Sequence, residues 1–558
     1  MDFHLYLLGS MAVELGDAVV KWRLWPPSDV TRATLVERMA TNLASVSFFS
    51  QKYGRIEASE AGKHAKKIEE EAFEAAQKEA DNGVEGIGTG IVQFYAKHAS
   101  HLMLQTLRSK KPSVKQDQEV AAISEGKEED IAETKGVFDI SGGTRAFLTK
   151  EKAEELFAPL LHAESTFTDI CLSNWSFGIK AAEVAAHALE AKKENFVNVN
   201  LSDIVAGQPE ADALQVMEIF SSALEGSNLQ SLNLSDNALG EKGVRAFSAL
   251  LKSQSSLKAL YFMNNGISEE AAHAIRELLP SAENLRVLHF HNNMSGDSGA
   301  IELSHIVRQA PNLEDFQFSS TRVGTEGGNA LAEALRSSKS LRRIDLRDNM
   351  FGPEPGLALA RTLKLHTNLV EVSLSYLGLT DEGTLAIIKA LADGALQLHV
   401  LELSGNDITA AIAPALAAYI RSLQQLKILN LSENELRDKG TVTVSQALLQ
   451  EHENLEELDL SENKITRIGA LAAAQAVANK VGFKSLNLNS NFISEAGIEA
   501  VQEVLSNGSA GLGVLGLMDE NEEEEDLEDE EQDIEEEEGS NGGDKAESTG
   551  LSDLEISN

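Results

Sequence analysis

Apolar residues recur along most of this chain in one short frame, L-x-L-x-x-N. It reads LNLSDN ending at Asn237, LYFMNN at Asn265, LHFHNN at Asn293 and IDLRDN at Asn349. It continues as LELSGN at Asn406, LNLSEN at Asn434, LDLSEN at Asn463 and LNLNSN at Asn491. FQFSST and VSLSYL keep the register but end at Thr321 and Leu377, and the nine successive steps are all 28 or 29 residues. Alternation over a few residues predicts a short strand with one buried face. The stretches that follow, such as GVRAFSALLKS after Gly243 and GNALAEALRSS after Gly328, change to helical spacing. Weaker copies lie upstream: ICLSNW to Trp175, VNLSDI to Ile204 and FDIS at Phe138. VLGLM near Leu515 is expected to supply a closing strand.

One strand and one helix cannot bury their apolar faces alone, so neighbouring units must stack. The predicted fold is an α/β solenoid with parallel strands on the concave side and helices outside. Units of this length with a true helix define the long leucine-rich-repeat class typified by ribonuclease inhibitor. The closing Asn of each frame is read as structural, its amide satisfying backbone groups where the chain leaves the strand.

Two frames carry a second asparagine. Asn264 and Asn292 stand just before the ladder position, at the strand's end on the rim. An amide there is either a solvated loop group or a contact for a partner. Asp236, Arg347 and Asp348 are read as facing the concave side.

Residues 21–110 lack the repeat and read as a small all-α domain. WPPSD opens it, with Ser28 or Asp29 capping a helix whose apolar face is Leu35, Met39, Leu43, Val46 and Phe49. Further helices are expected over 59–78 and 91–107. Trp22 and Trp25 serve either as a packing staple or as an exposed anchor. The assignment is then 1–20 a leader of unknown role, 21–110 the helical domain, 111–134 a charged linker, 135–518 the repeats and 519–558 a disordered acidic tail.

Charge supports the last assignment. The net charge is −40, and 20 acidic residues against Lys545 place −19 of it after residue 518. Such a run buries too little apolar surface to offset its ordering entropy. The excess argues against nucleic-acid binding and favours a basic protein partner. The single cysteine, Cys171, excludes an internal disulfide; it is read as a small core residue. No stretch reaches the ~20 apolar residues that span a bilayer. His289 and His291 share a strand face without a third ligand, so no metal site is predicted. Nucleotide-binding, metalloprotease and hydrolase motifs are not found. The residues describe a recognition scaffold, to which any catalytic group must come from a partner.

WPPSD with its helical domain, the repeat array with doubled Asn and the acidic tail together resemble the plant Ran GTPase-activating proteins. The resemblance runs from about Trp22 into the tail. It implies activation of GTP hydrolysis by the small GTPase Ran, which carries the GTP and Mg²⁺; no cofactor of the chain's own is expected. The family motif L-Y-L-x-N-[ND]-G maps its functional asparagine onto Asn264, which would orient Ran's catalytic glutamine without an arginine finger. The resemblance also implies Ran-contact roles for Ser202 and Asp203 in LSDIVAGQPE, where Gln208 replaces the arginine of fungal relatives. Asn292, Asp236, Arg347 and Asp348 complete the expected Ran-binding set. Trp25 and Pro26 match the WPP motif, which implies targeting to the outer nuclear envelope through coiled-coil anchors. Other implications are a cytoplasmic protein that relocates during cell division, with Ran-GTP and a Ran-binding protein as partners. The alternative is a non-catalytic, inhibitor-like scaffold that uses the same concave face.

Overall fold

The structure is a computed structural model. It describes residues 58–81, 136–142, 145–162, 165–449 and 451–522, with isolated helical positions between 32 and 106. Trp22, Trp25, Pro26, the leader, the linker and residues 523–558 lie outside the described residues. The chain divides into two compact units, 1–130 and 131–558.

In the first unit, the helix expected over 59–78 spans Ala58–Asp81. Its buried stripe is Ala61, Ala65, Ile68, Ala72 and Ala76, apolar positions three or four residues apart. Tyr95, Ala99 and Met103 repeat that spacing in another helix and are buried as well. A buried charge interrupts the stripe at Glu69, which is 3% exposed. Arg32 grips its carboxylate with Nε and Nη2 at 2.7 and 2.8 Å, and Tyr95 donates to it at 3.0 Å. The guanidinium also lies 3.7 Å from the centre of the Phe73 ring. Both carboxylate oxygens are therefore bonded, the condition under which a buried acid is tolerated.

In the second unit, thirteen described strands of three residues each form one parallel sheet, from Val137–Asp139 to Ser485–Asn487, paired in near-sequential order. The register matches the frame, with Leu232 beside Leu260, Leu260 beside Leu288 and Leu288 beside Phe316. Each of these central residues is fully buried. The flanking residues face the concave side. Helices such as Glu269–Leu278, Gly296–Arg308 and Thr325–Leu335 return the chain along the convex layer. One continuous core runs between the layers, from Phe138 to Val514. The expected closing strand is reduced to a single bridge between Leu515 and Leu486. Cys171 is corrected: Ile170 and Leu172 take the buried positions, and the thiol sits half-exposed on the concave side, 3.3 Å from Ser173 Oγ.

The closing asparagines form a ladder of buried amides, interrupted at Leu377, where Asn349 N donates to the backbone carbonyl of Tyr376 instead. Asn293 Oδ1 accepts from the backbone N–H of Asn265 at 3.1 Å and of Ile267 at 3.0 Å. Its Nδ2 donates to the carbonyls of Phe262 and Phe290 at 2.9 and 2.8 Å. Asn237, Asn265, Asn349, Asn406, Asn434, Asn463 and Asn491 are likewise buried. Thr321 substitutes its hydroxyl, which donates to Asn349 Oδ1 at 2.9 Å. The ladder extends to Asn521, whose Oδ1 accepts from Asn491 N at 3.0 Å, so it enters the first residues that composition places in the tail.

Candidate functional site

The residue before each ladder position ends a strand and must turn the chain, and it does so in the left-handed region. φ is +54° at Asn264, +53° at Asn292, +62° at Asp236 and +56° at Asp348. Asn174, Asp203, Ser320, Tyr376, Glu433, Glu462 and Ser490 do the same, as does Gly405. Side chains disfavour this conformation, and Asn and Asp tolerate it better than most because their short polar groups bond locally. The doubled asparagine thus has a backbone reason in addition to any chemical one. It also corrects the placement of Asp236 and Asp348, which stand on the rim turn with Asn264 rather than on the concave strands.

On that rim the side chains form a chain. Asn264 Nδ2 donates to Asp236 Oδ1 at 2.7 Å, and Asn292 Nδ2 donates to Asn264 Oδ1 at 2.7 Å. All three residues are exposed. Their backbones are fixed by ladder bonds to the next repeat: Asp236 N to Met263 O, Asn264 N to His291 O and Asn292 N to Ser319 O, at 2.9–3.0 Å. An amide has two N–H donors and two acceptor sites. Among the described residues Asn264 therefore keeps one of each for another molecule.

Beside this chain lies a groove of about 560 Å³, whose lining includes Asn264, Asn292, Ser320 and Asp348 together with Met294, Arg322 and Met350. Met294 and Met350 are 55% and 64% exposed. Arg322, at φ +60°, is exposed and has no ion-pair partner among the described residues. Sequence reading missed these three. The signal is the position just after the ladder residue, which has no periodic apolar role of its own.

The other candidates stand elsewhere. Ser202 and Asp203 are each 8% exposed. Arg145 Nη2 holds Asp203 Oδ2 at 2.5 Å. Burial pushes the Asp203 carboxyl above its ordinary pKa, against the pull of Arg145 and with added repulsion from Asp236. Gln208 turns inward, its Nε2 donating to Phe177 O at 2.6 Å and Ser176 Oγ at 3.1 Å. Ser202 and Asp203 offer a ligand little surface, whereas Gln208 is half-buried and lines a groove with Arg145 and Ser176. Arg347 stays half-exposed on the concave face, 3.0 Å from Asp345 and 3.3 Å from Glu402.

The two histidines also find partners. His291 Nδ1 lies 2.8 Å from Ser319 Oγ. His289 Nε2 lies 3.2 Å from Asp315 Oδ1, and Arg343 Nη2 lies 2.5 Å from Asp315 Oδ2. Burial acts to raise the Asp315 pKa, but His289 and Arg343 outweigh it and hold it below the ordinary value.

Comparison with known proteins places this geometry in context. A WPP domain model matches residues 21–118, and a Leucine Rich repeat model matches 227–248, 422–444 and 451–472. RAN GTPase-activating protein 2 of Arabidopsis thaliana is 56% identical over 502 residues, covering 90% of this chain and 91% of the relative. The chain belongs to the plant Ran GTPase-activating protein family. WPP domain-containing protein 1 of the same plant is 33% identical over 94 residues, 16% of this chain and 57% of that protein. Ribonuclease inhibitor of Sus scrofa is 28% identical over 130 residues, 23% of this chain and 28% of that one. The first match includes the rim that this Ran GTPase-activating family member builds from Asp236 to Asp348, and the last agrees with its solenoid of parallel strands and outer helices.

Proposed function

We propose that this protein accelerates GTP hydrolysis by Ran through the amide of Asn264, which restricts the rotamers of Ran's catalytic glutamine. Ran supplies the nucleotide and Mg²⁺, and no arginine finger is required. The gain comes from orientation of a group already present. The observation that carries this reading is the exposed Asn264 amide, fixed between Asp236 and Asn292 with one donor and one acceptor free. Asn292, Asp348, Arg322, Met294 and Met350, around the same groove, form the surface assigned to Ran, with Arg347 on the adjoining concave face.

Single-turnover hydrolysis by Ran tests the assignment. At φ +54° alanine would add backbone strain, so Asn264→Gly is the cleaner variant: it removes the amide and keeps the turn. Loss of this positioning contact is expected to raise the barrier by about 2–4 kcal/mol. Stimulation equal to wild type by Asn264→Gly would leave Asn264 with a turn role only, and would favour a non-catalytic scaffold, a reading that the shared left-handed turn on its own supports.

The WPP domain is assigned to targeting, with coiled-coil anchors at the outer nuclear envelope as its partners and relocation in dividing cells. The support is the model match over residues 21–118 and the likeness to WPP domain-containing protein 1. A fluorescent fusion with Trp25→Ala and Pro26→Ala that still collects at the nuclear rim would refute it.

A further inference from the structure

We propose that Asp236 is a positioning residue: its carboxylate sets which end of the Asn264 amide faces which neighbour, and so which group Asn264 presents to the GTPase. This rests on the reading of Asn264 given above.

The rim chain has a polarity. An ionised carboxylate only accepts hydrogen bonds. Asn264 must therefore turn its NH₂ toward Asp236 Oδ1, 2.7 Å away. Its oxygen is then left to receive Asn292 Nδ2, at 2.7 Å. Without the carboxylate the two amides have no preferred direction, because an Asn–Asn contact works equally well with both amides flipped. A flip exchanges the free donor and the free acceptor of Asn264. The partner glutamine would then meet the wrong group half of the time, or the bond that holds the pose would be lost.

Two further features support a dedicated role. The backbones at residues 236, 264 and 292 are locked by the neighbouring repeats, so only the side-chain torsions of the three remain to be set. The preceding turn carboxylate, Asp203, is engaged by Arg145, which leaves the Asp236–Asn264 contact as the point where charge enters the amide chain. The Asp236 side chain is exposed and, among the described residues, bonded to no core group, so its removal does not threaten the fold.

Single-turnover hydrolysis by Ran-GTP at saturating activator, together with the half-saturating activator concentration, tests this in four proteins. They are wild type, Asp236→Gly, Asn264→Gly and the double variant, glycine being chosen because it retains the positive φ. The expected result is a fall of about twofold or more in the saturated rate for Asp236→Gly, twofold being the loss when the two amide orientations are equally populated. Its half-saturating concentration is unchanged, and adding it to Asn264→Gly causes no further loss. Asp236→Asn restores only part of the rate, since an amide accepts from Asn264 without enforcing direction. A loss that persists in the Asn264→Gly background overturns the proposal, as does a weaker half-saturation with an unchanged saturated rate; both describe a direct contact instead. If Asn264→Gly alone stimulates like wild type, the underlying reading fails first, and the two failures are told apart by that one measurement. Matching thermal melts of the four proteins exclude unfolding as the cause.

Discussion

Replacing Asn293 with alanine is expected to cost far more stability than replacing its neighbour Asn292, although the two residues are chemically identical. Asn293 makes five side-chain hydrogen bonds, to Asn265 N, Ile267 N and the carbonyls of Phe262, Phe290 and His291. Alanine strands two buried backbone donors, at Asn265 and Ile267. Each unsatisfied donor costs about 1–3 kcal/mol, so the change should destabilise by roughly 2–6 kcal/mol. Asn292 is exposed, holds φ at +53° and makes one side-chain bond, to Asn264. Asn292→Gly retains the turn and should stay within about 1 kcal/mol of wild type. Urea unfolding followed by far-ultraviolet circular dichroism reads both, with the slope checked for loss of two-state behaviour. Hydrogen exchange at Asn265 and Ile267 then locates the damage. Equal midpoints for the two variants would refute the division between buried ladder and exposed rim.

Three other outcomes follow from particular contacts. His366 and His452 are buried, and burial pulls both below the ordinary histidine pKa; the fold therefore binds fewer protons than the unfolded chain, and stability should fall as pH drops below about 6.5. His366→Leu should flatten a melting-temperature profile between pH 7 and 5, and an unchanged slope would count against it. Asp203 has a raised pKa, chiefly from burial, so its charge opposes folding above that pKa; Asp203→Asn should raise the melting temperature at pH 7, with the gain shrinking in acid where both forms are neutral. Truncation after Glu522 should leave the melting temperature of the repeats unchanged, whereas truncation after Met518 removes the Asn521 cap on Asn491 N and should lower it by several degrees.

The periodic part of this molecule was readable because stacking repeats one local solution. Spacing alone locates the strands, the helices and the buried amides. The turn conformation was not readable in the same way: Tyr376, Glu433 and Glu462 occupy it alongside Asn and Asp, so no residue type marks it. Long-range pairing was also hidden. Arg145 lies 58 residues before Asp203, and nothing in LSDIVAGQPE shows that its aspartate is engaged or that Gln208 turns toward Phe177. Glu69 stayed hidden for the same reason, since its partners Arg32 and Tyr95 come from other helices. Asn264 and Asn292 were identified because doubling departs from the repeat, and departures from a strict pattern are where individual side chains show.

The direction of the asparagine ladder has a bearing on biosynthesis. Asn265 closes the turn of the repeat before it, and Asn293 closes the turn that carries Asn264. Every turn is finished by the unit that follows it in the chain. A nascent polypeptide emerging from the ribosome therefore has an unfinished turn at Asn264 until the strand ending in Asn293 has been made and has docked. The growing end of the solenoid is always its least settled edge, and Asn521 is what finally seals it.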